Sequence, residues 1–333
     1  MSESDKNILV VSDLLHPPYD EGAKIAVMHT AEQLCRQLKQ SKIILLKNKL
    51  YSFSAIRTLL LNKTNYILYI PSASITFNSF LRAKMISMLT RNKVIMISTQ
   101  PRRYTSWQIS IIRRIQPLAL FVQSREHLQR LKNYGLKNIF VNTWGVNLEK
   151  FTPVDSATKS RLRKKFLIPE HKRVYLHFGH LKENRNFKEL MPLLTDHQNY
   201  VLIVCSTTTR QKMTLKHQLE QKGFHFITEF ISENHELYQL SDYYVFPTRD
   251  PMSAIEFPLS VFEALACGIP VYHKSFGALK DYFQDSFSNL CHYNSPEDLK
   301  ISNFSTDNLF PIHDYSWRKA TKNLINQIGK IYV

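Results

Sequence analysis

Short apolar runs alternate with segments of helical periodicity along the whole chain, a pattern that predicts parallel β-sheets covered by helices on both faces. In the first half the apolar runs fall at 8–11, 43–46, 66–70, 94–97, 118–122 and 139–141. Between the first two, Val27, Ala31, Leu34 and Leu38 recur at helical spacing. The second half restarts the pattern at 174–176, 200–204, 225–227, 243–246 and 270–272. Residues 142–156, NTWGVNLEKFTPVDS, show neither periodicity and read as the connection between two α/β domains. The length of 333 residues agrees with that division, because single cores stop growing at about 250–300 residues.

One helical pattern carries more than fold information. Residues 79–93 place Leu81, Met85, Met88 and Leu89 on one face, with Arg82, Lys84, Arg91 and Lys93 around the rest. Such a helix is either an ordinary amphipathic one whose apolar stripe is core, or a basic one suited to a membrane surface. Charge bears on the choice. From Gln33 to Arg125 there is no Asp or Glu but there are sixteen Lys and Arg, so this segment holds +16 of the net +17. A basic first half implies an acidic partner, and nucleic acid, an anionic membrane leaflet and a phosphorylated acceptor all fit. No zinc-finger spacing or RNP-like aromatic run occurs, so nucleic acid is the least favoured of the three.

The remaining composition narrows the class. A content of 44% hydrophobic and 21% charged residues is that of a folded globular protein. Cys35, Cys205, Cys267 and Cys291 match no metal or redox spacing, so free thiols in a reducing cytoplasm are expected. The start, MSESDKNILVVSD, is acidic and polar, unlike a signal peptide, and no run of eighteen apolar residues exists. With only eight glycines, and neither GxGxxG nor a P-loop, any phosphate must be held by helix termini and cationic side chains.

The stretch 253–271, SAIEFPLSVFEALACGIPV, offers such a terminus. It reads as a loop to Pro258 following a buried strand, then a helix over 261–267 closed by Gly268 and Pro270. Open α/β sheets bind ligands at that edge. Ser260 and Glu263 are also spaced as a capping box, a purely structural alternative.

Several segments fall in a recognisable order. HPPYDEGA (16–23) follows the first strand; GVNLEKFTP (145–153) joins the halves; Gly179-His180 and Arg185 follow the first strand of the second half. Asp242 precedes a strand, Glu256 and Glu263 frame E-x6-E, and Tyr315-Ser316-Trp317 opens the last helix. Together they make the chain resemble, over nearly its whole length, GT-B glycosyltransferases of the family 4 type, retaining enzymes that use nucleotide sugars. The resemblance implies two Rossmann-like domains with parallel sheets and an interdomain cleft. Residues 1–145 would form the acceptor-side domain, 146–314 the nucleotide-sugar domain, and 315–333 a helix returning to the first.

By the same resemblance Arg185, Glu256 and His180 are the catalytic candidates. Gly22, Arg185, Leu259, Ser260, Val261 and Glu263 would bind the donor, while Gln100, Arg102 and Arg103 would face the acceptor. Cations and helix N-termini aimed at the β-phosphate stabilise the charge that develops as the sugar leaves. No metal or cofactor is implied beyond the nucleotide sugar, a UDP- or GDP-sugar, as co-substrate. The acceptor expected is a lipid-linked saccharide or glycan, at the cytoplasmic face of an anionic membrane to which the protein binds peripherally, with no nucleic acid involved. Departures leave open a scaffold or binding protein on a degenerate GT-B fold. Ile255 stands where the first glutamate of E-x7-E belongs, with Glu256 one residue late and Pro258 in a glycine's place. Glu21-Gly22 replaces a double glycine, and Ser98-Thr99-Gln100-Pro101 lacks the family's histidine, leaving Thr99 or Gln100 in its place.

Overall fold

In the computed structural model, residues 8–38, 42–45, 57, 59–61, 64, 66–72, 74–205, 212–282, 285–299 and 305–331 are described. The first half alternates strand and helix: β1 (Ile8–Ser12), α1 (Gly22–Gln37), β2 (Lys42–Leu45), β3 (Tyr66–Ile70), α2 (Phe77–Thr90), β4 (Lys93–Ile97), α3 (Ser106–Ile115), β5 (Ala119–Val122), α4 (Arg125–Asn133) and β6 (Ile139–Val141). Its six strands pair in the order β2-β1-β3-β4-β5-β6. Every pairing is parallel, with Ile8 opposite Tyr66 and Ile67 opposite Val94. Strands β1 and β3 are buried along their whole length, which is why they read as unbroken apolar runs and not as alternation.

The second half repeats the scheme with α5 (Ser156–Lys165), β7 (Arg173–Phe178), β8 (Asn199–Val204), α6 (Met213–Glu220), β9 (His225–Ile227), α7 (His235–Gln239), β10 (Tyr243–Phe246), α8 (Leu259–Ala266), β11 (Val271–His273) and β12 (Leu290–His292). The parallel order is β12-β11-β10-β7-β8-β9. Strand β12 has no counterpart in the apolar pattern. It is a three-residue edge strand, Leu-Cys-His, and pairing with β11 defines it more than its own sequence does.

Two units emerge: residues 1–145, 255–257 and 317–333 in one, and 146–254 with 258–316 in the other. The short segment Ile255–Phe257 therefore counts with the first unit although the chain on both sides of it belongs to the second. The last helix, α9 (Trp317–Lys330), also joins the first unit. It buries Trp317, Ala320, Thr321, Leu324, Ile325 and Ile328, one stripe at helical spacing. Gln37 at the end of α1 donates to the Arg318 carbonyl at 3.2 Å, and the His29 and Trp317 rings lie 5.0 Å apart.

The connecting segment is packed. Val146 bridges to Ser316, and the Phe151 ring meets Tyr238 edge-on at 5.5 Å. Asp242, in the family-like position before β10, pairs with Lys159 and Arg163 of α5 at 2.6 Å each and accepts the Val174 amide. It therefore ties α5 to the sheet. Cys205 and Cys267 are buried and Cys35 and Cys291 half-buried, and no disulfide joins them.

Helix α2 departs from expectation in extent and in facing. It runs from a Thr76 capping box to Thr90, and Arg91 with φ of 56° ends it before Lys93 opens β4. Its core side is Ser79, Phe80, Ala83 and Ile86. The stripe read as a possible core face lies elsewhere: Leu81, Met88 and Leu89 are exposed and Met85 is half-buried.

Candidate functional site

In the second unit the chain leaves β7 toward β8 and β9 on one side, and β10 toward β11 and β12 on the other. The C-terminal ends of β7 and β10 therefore flank a topological switch point, where open sheets place ligands. Gly179 follows β7 directly, and its amide continues the ladder to the Val204 carbonyl. A Cβ there would stand 2.8 Å from His177 Nε2 and 3.4 Å from Arg185 Nη1, so only glycine leaves this corner open. His180, half-buried beside it, accepts the Lys182 amide at its carbonyl.

Arg185 lies on a single 3-10 turn, Glu183–Arg185, and is only 6% exposed. Its Nε has no hydrogen-bond partner, and no carboxylate forms an ion pair with it among the described residues. Burial lowers its pKa to about 10, which leaves the guanidinium charged at neutral pH. A buried cation without an anion is costly, and an incoming phosphate removes that cost. His177 is its complement. The ring donates from Nδ1 to the Val245 carbonyl at 2.8 Å, and burial, reinforced by the Arg185 charge, holds its pKa near about 3. The imidazole is thus neutral, with Nε2 a bare acceptor.

Across from Arg185, α8 starts at Leu259, two residues before the expected start, with Pro258 as its N-cap. Proline fixes its own φ, here −74°, and its carbonyl accepts the Val261 amide at 3.0 Å. The expected capping box is therefore absent. Ser260 sits inside the first turn and its hydroxyl accepts from Tyr244 at 2.7 Å, while Glu263 accepts from the Tyr238 hydroxyl at 2.7 Å. Val261 is likewise corrected as an amide donor to a ligand, since its N–H is already used. Leu259 and Ser260 carry first-turn amides that helical geometry leaves without a carbonyl four residues back. Glu263 is buried, and desolvation raises its pKa to about 7 against the opposing pull of Tyr238 and Lys150.

The first unit holds the other candidates. Gly22 opens α1, and a Cβ on it would approach Ile255 Cδ1 to 3.2 Å. The residue in the first glutamate's place thus packs on the glycine turn. Glu256, expected among the sugar-contacting groups, is 3% exposed, and first-unit donors occupy both its oxygens. The Ser124 hydroxyl donates to Oε1, His127 Nδ1 lies 2.9 Å from Oε2, and the Gln123 amide donates to Oε2 at 3.4 Å. Its own amide donates to the Thr99 carbonyl at 2.8 Å. A carboxylate so engaged positions its loop and has little capacity left for a ligand. Gln100 is half-buried with its carbonyl taken by Ser98; Arg102 is bonded to Ser74; Arg103 is exposed.

Tyr244, Tyr238, His177, Ser124 and His127 all escaped the sequence reading. Only Tyr244 and His177 left a trace, as polar-tipped residues in or beside apolar runs, where a buried hydroxyl or imidazole must find a partner.

Residues 158–305 match the family described as Glycosyl transferases group 1. No curated protein sequence matches the chain. Among solved structures, a glycosyltransferase from Rickettsia africae ESF-5 superposes with a TM-score of 0.73 at 14% identity, covering 98% of this chain and 99% of its own. HepE of Anabaena, determined with UDP and glucose, gives 0.69 at 13% identity, with 97% and 98% covered. WaaG, a glycosyltransferase involved in lipopolysaccharide biosynthesis, gives 0.55 at 13% identity, with 98% and 93% covered. At these identities the structures speak for fold, and the matched segment spans the second-unit elements that carry Gly179, Arg185, Ser260 and Glu263. The chain has the GT-B fold, and its residues 158–305 match the family described as Glycosyl transferases group 1.

Proposed function

We propose that the protein is a retaining glycosyltransferase that moves a sugar from a nucleotide diphosphate sugar to a lipid-linked saccharide or glycan, peripherally bound at a membrane. The observation that carries this reading is Arg185, a buried guanidinium with no carboxylate ion pair among the described residues, which lies against Gly179 and acts electrostatically on Tyr244, the donor to Ser260 in the first turn of α8. As the bond from the anomeric carbon to the β-phosphate oxygen breaks, its electron pair stays on the phosphate, where Arg185 and the α8 amides oppose the charge. The acceptor hydroxyl attacks the same face, and its proton passes to the leaving phosphate. Glu263, once ionised, accepts hydrogen bonds from ribose hydroxyls.

His180 adjoins the phosphate corner and supplies a polar group to the donor. Gly22 and the acceptor-side trio Gln100, Arg102 and Arg103 serve the sugar and acceptor. Glu256 has a positioning part, through Ser124 and His127. HepE, whose structures hold UDP and UDP-glucose, supports a UDP-sugar as donor. The role of WaaG in lipopolysaccharide synthesis supports a lipid-linked acceptor. Among the described residues no helix is long and apolar enough to cross a membrane.

The engagement of Glu256 favours one second reading, a binding protein that holds the nucleotide sugar without transfer. Calorimetric titration with UDP and GDP, together with turnover of a panel of UDP- and GDP-sugars, separates the two. Tight nucleotide binding with release of sugar establishes the enzyme. Binding without turnover of any donor establishes the second reading, and binding of neither nucleotide defeats both.

A further inference from the structure

Helix α2 carries apolar residues on two sides. Phe80, Ala83 and Ile86 face inward at 0–1% exposure, whereas Leu81, Met88 and Leu89 are 41%, 68% and 42% exposed. Leu81, Met85, Met88 and Leu89 follow the spacing i, i+4, i+7, i+8, so they form a single stripe, of which the half-buried Met85 also packs on the core. The stripe continues onto the next helix. Trp107, in the first turn of α3, is 58% exposed, and its ring meets Phe77 of α2 edge-on at 5.2 Å. Single exposed apolar residues are ordinary, but a contiguous patch of Leu, Met and Trp marks a surface made to be covered.

The charges around the patch say what covers it. Lys84 lies one turn from both Leu81 and Met88, and Arg91 lies three residues beyond Met88; both are exposed. Arg103, just ahead of α3, and Lys93, at the start of β4, are exposed as well. Arg82 is different, since it turns to Asp13 at the end of β1, 3.8 Å away. No acidic residue occurs anywhere between Gln33 and Arg125, so neither helix offers a carboxylate to these cations. An apolar stripe with an exposed indole and a fringe of one sign suits lipid. Leu and Met enter the acyl boundary by about 5–10 Å, Trp seats at the headgroups, and Lys and Arg snorkel to anionic phosphates.

We infer that α2 and the first turn of α3 form the face by which this protein rests on an anionic lipid bilayer. This deepens the proposed function by naming its membrane surface, and rests on that reading only for the identity of the acceptor. The face differs from the simpler idea of a uniformly basic domain, because it requires the apolar stripe and excludes Arg82.

Trp107 reports on the contact, since the other two tryptophans, Trp144 and Trp317, are buried at 1% and 6% exposure. The full chain is mixed with vesicles containing phosphatidylglycerol and with vesicles of phosphatidylcholine alone, and flotation and tryptophan emission are recorded. The parent should float with the anionic vesicles, with a blue shift that brominated acyl chains quench and that W107F abolishes. Leu81→Ser with Met88→Ser and Leu89→Ser should bind about tenfold or more weakly. Lys84→Glu with Arg91→Glu should lose the preference for anionic vesicles. Failure of the parent to float overturns the inference, as does equal binding by the serine variant. So does a dimer in sedimentation that the serine variant dissociates, because a second copy would then be the cover. UDP affinity in solution is measured on each variant. Its absence from the parent, with flotation intact, strikes the proposed donor chemistry and leaves this surface standing.

Discussion

The first and second units are built on the same scaffold, a six-stranded parallel sheet whose central strands are buried on both faces, yet they present opposite chemistry. Around the ends of β7 and β10 and the start of α8 the second unit keeps a buried, charged Arg185 without an ion pair among the described residues, a neutral His177 and a Glu263 whose pKa burial raises to about 7. Such groups are costly alone and become favourable against a ligand. After β5 the first unit instead satisfies the buried carboxylate of Glu256, which Ser124, His127 and Gln123 hold. On its surface the first unit also shows the exposed apolar residues Leu81, Met88 and Leu89 of α2. The contrast teaches that sheet architecture is indifferent to function, and that unmet polar or apolar demand locates it.

The largest test of this contrast is Arg185→Met. Removing a charge aimed at the leaving diphosphate should cut kcat/KM by about 100-fold or more. The ligand-free melting temperature should hold or rise, since an unpaired buried cation is replaced by an apolar chain. A drop in melting temperature with normal turnover would make Arg185 a structural residue.

Glu256→Gln should do the reverse. The amide cannot accept at both positions, so the first unit should lose about 1–3 kcal/mol of stability. UDP affinity should change by less than about threefold, because this carboxylate faces first-unit donors. If kcat falls while stability is unchanged, Glu256 contacts the sugar after all.

The smallest effect concerns pH. The folded pKa of Glu263 is raised from 4.5 to about 7, so its contribution to stability is fully present below pH 4.5 and is lost as pH rises through 7. Glu263→Gln removes that dependence. Its melting temperature should gain on the parent by a few degrees between pH 5 and pH 8. UDP binding to the parent should strengthen over the same range as the carboxylate ionises, whereas the variant should bind weakly at both. A parent whose melting temperature and UDP affinity are both flat with pH would show that Glu263 is already ionised in the ligand-free protein.

Much of the scaffold was legible. Eleven of the twelve strands among the described residues coincide with apolar runs, because buried parallel strands need unbroken apolar sequence. The exception, Leu290–His292, is an edge strand with little burial to record. Helix α2 was legible as a helix, but apolar residues lie on both its sides, Phe80, Ala83 and Ile86 opposite Leu81, Met88 and Leu89. Periodicity groups such residues into faces without saying which face meets the sheet. The capping box was misread for a related reason: spacing admitted it, but Pro258 moved the helix start, and Tyr244 and Tyr238 took the two side chains.

By itself the sequence determined the alternation of apolar strands and helices, β12 excepted, and the restart of the pattern near residue 146, since these follow from local apolar patterning. Tertiary structure alone decided that Glu256 is answered by Ser124 and His127, that no carboxylate among the described residues pairs with Arg185, and that α2 shows Leu81, Met88 and Leu89 to the outside. The reason is that a partner's distance along the chain, 132 residues for Ser124 and Glu256, leaves no trace in local sequence, whereas burial of a short run does.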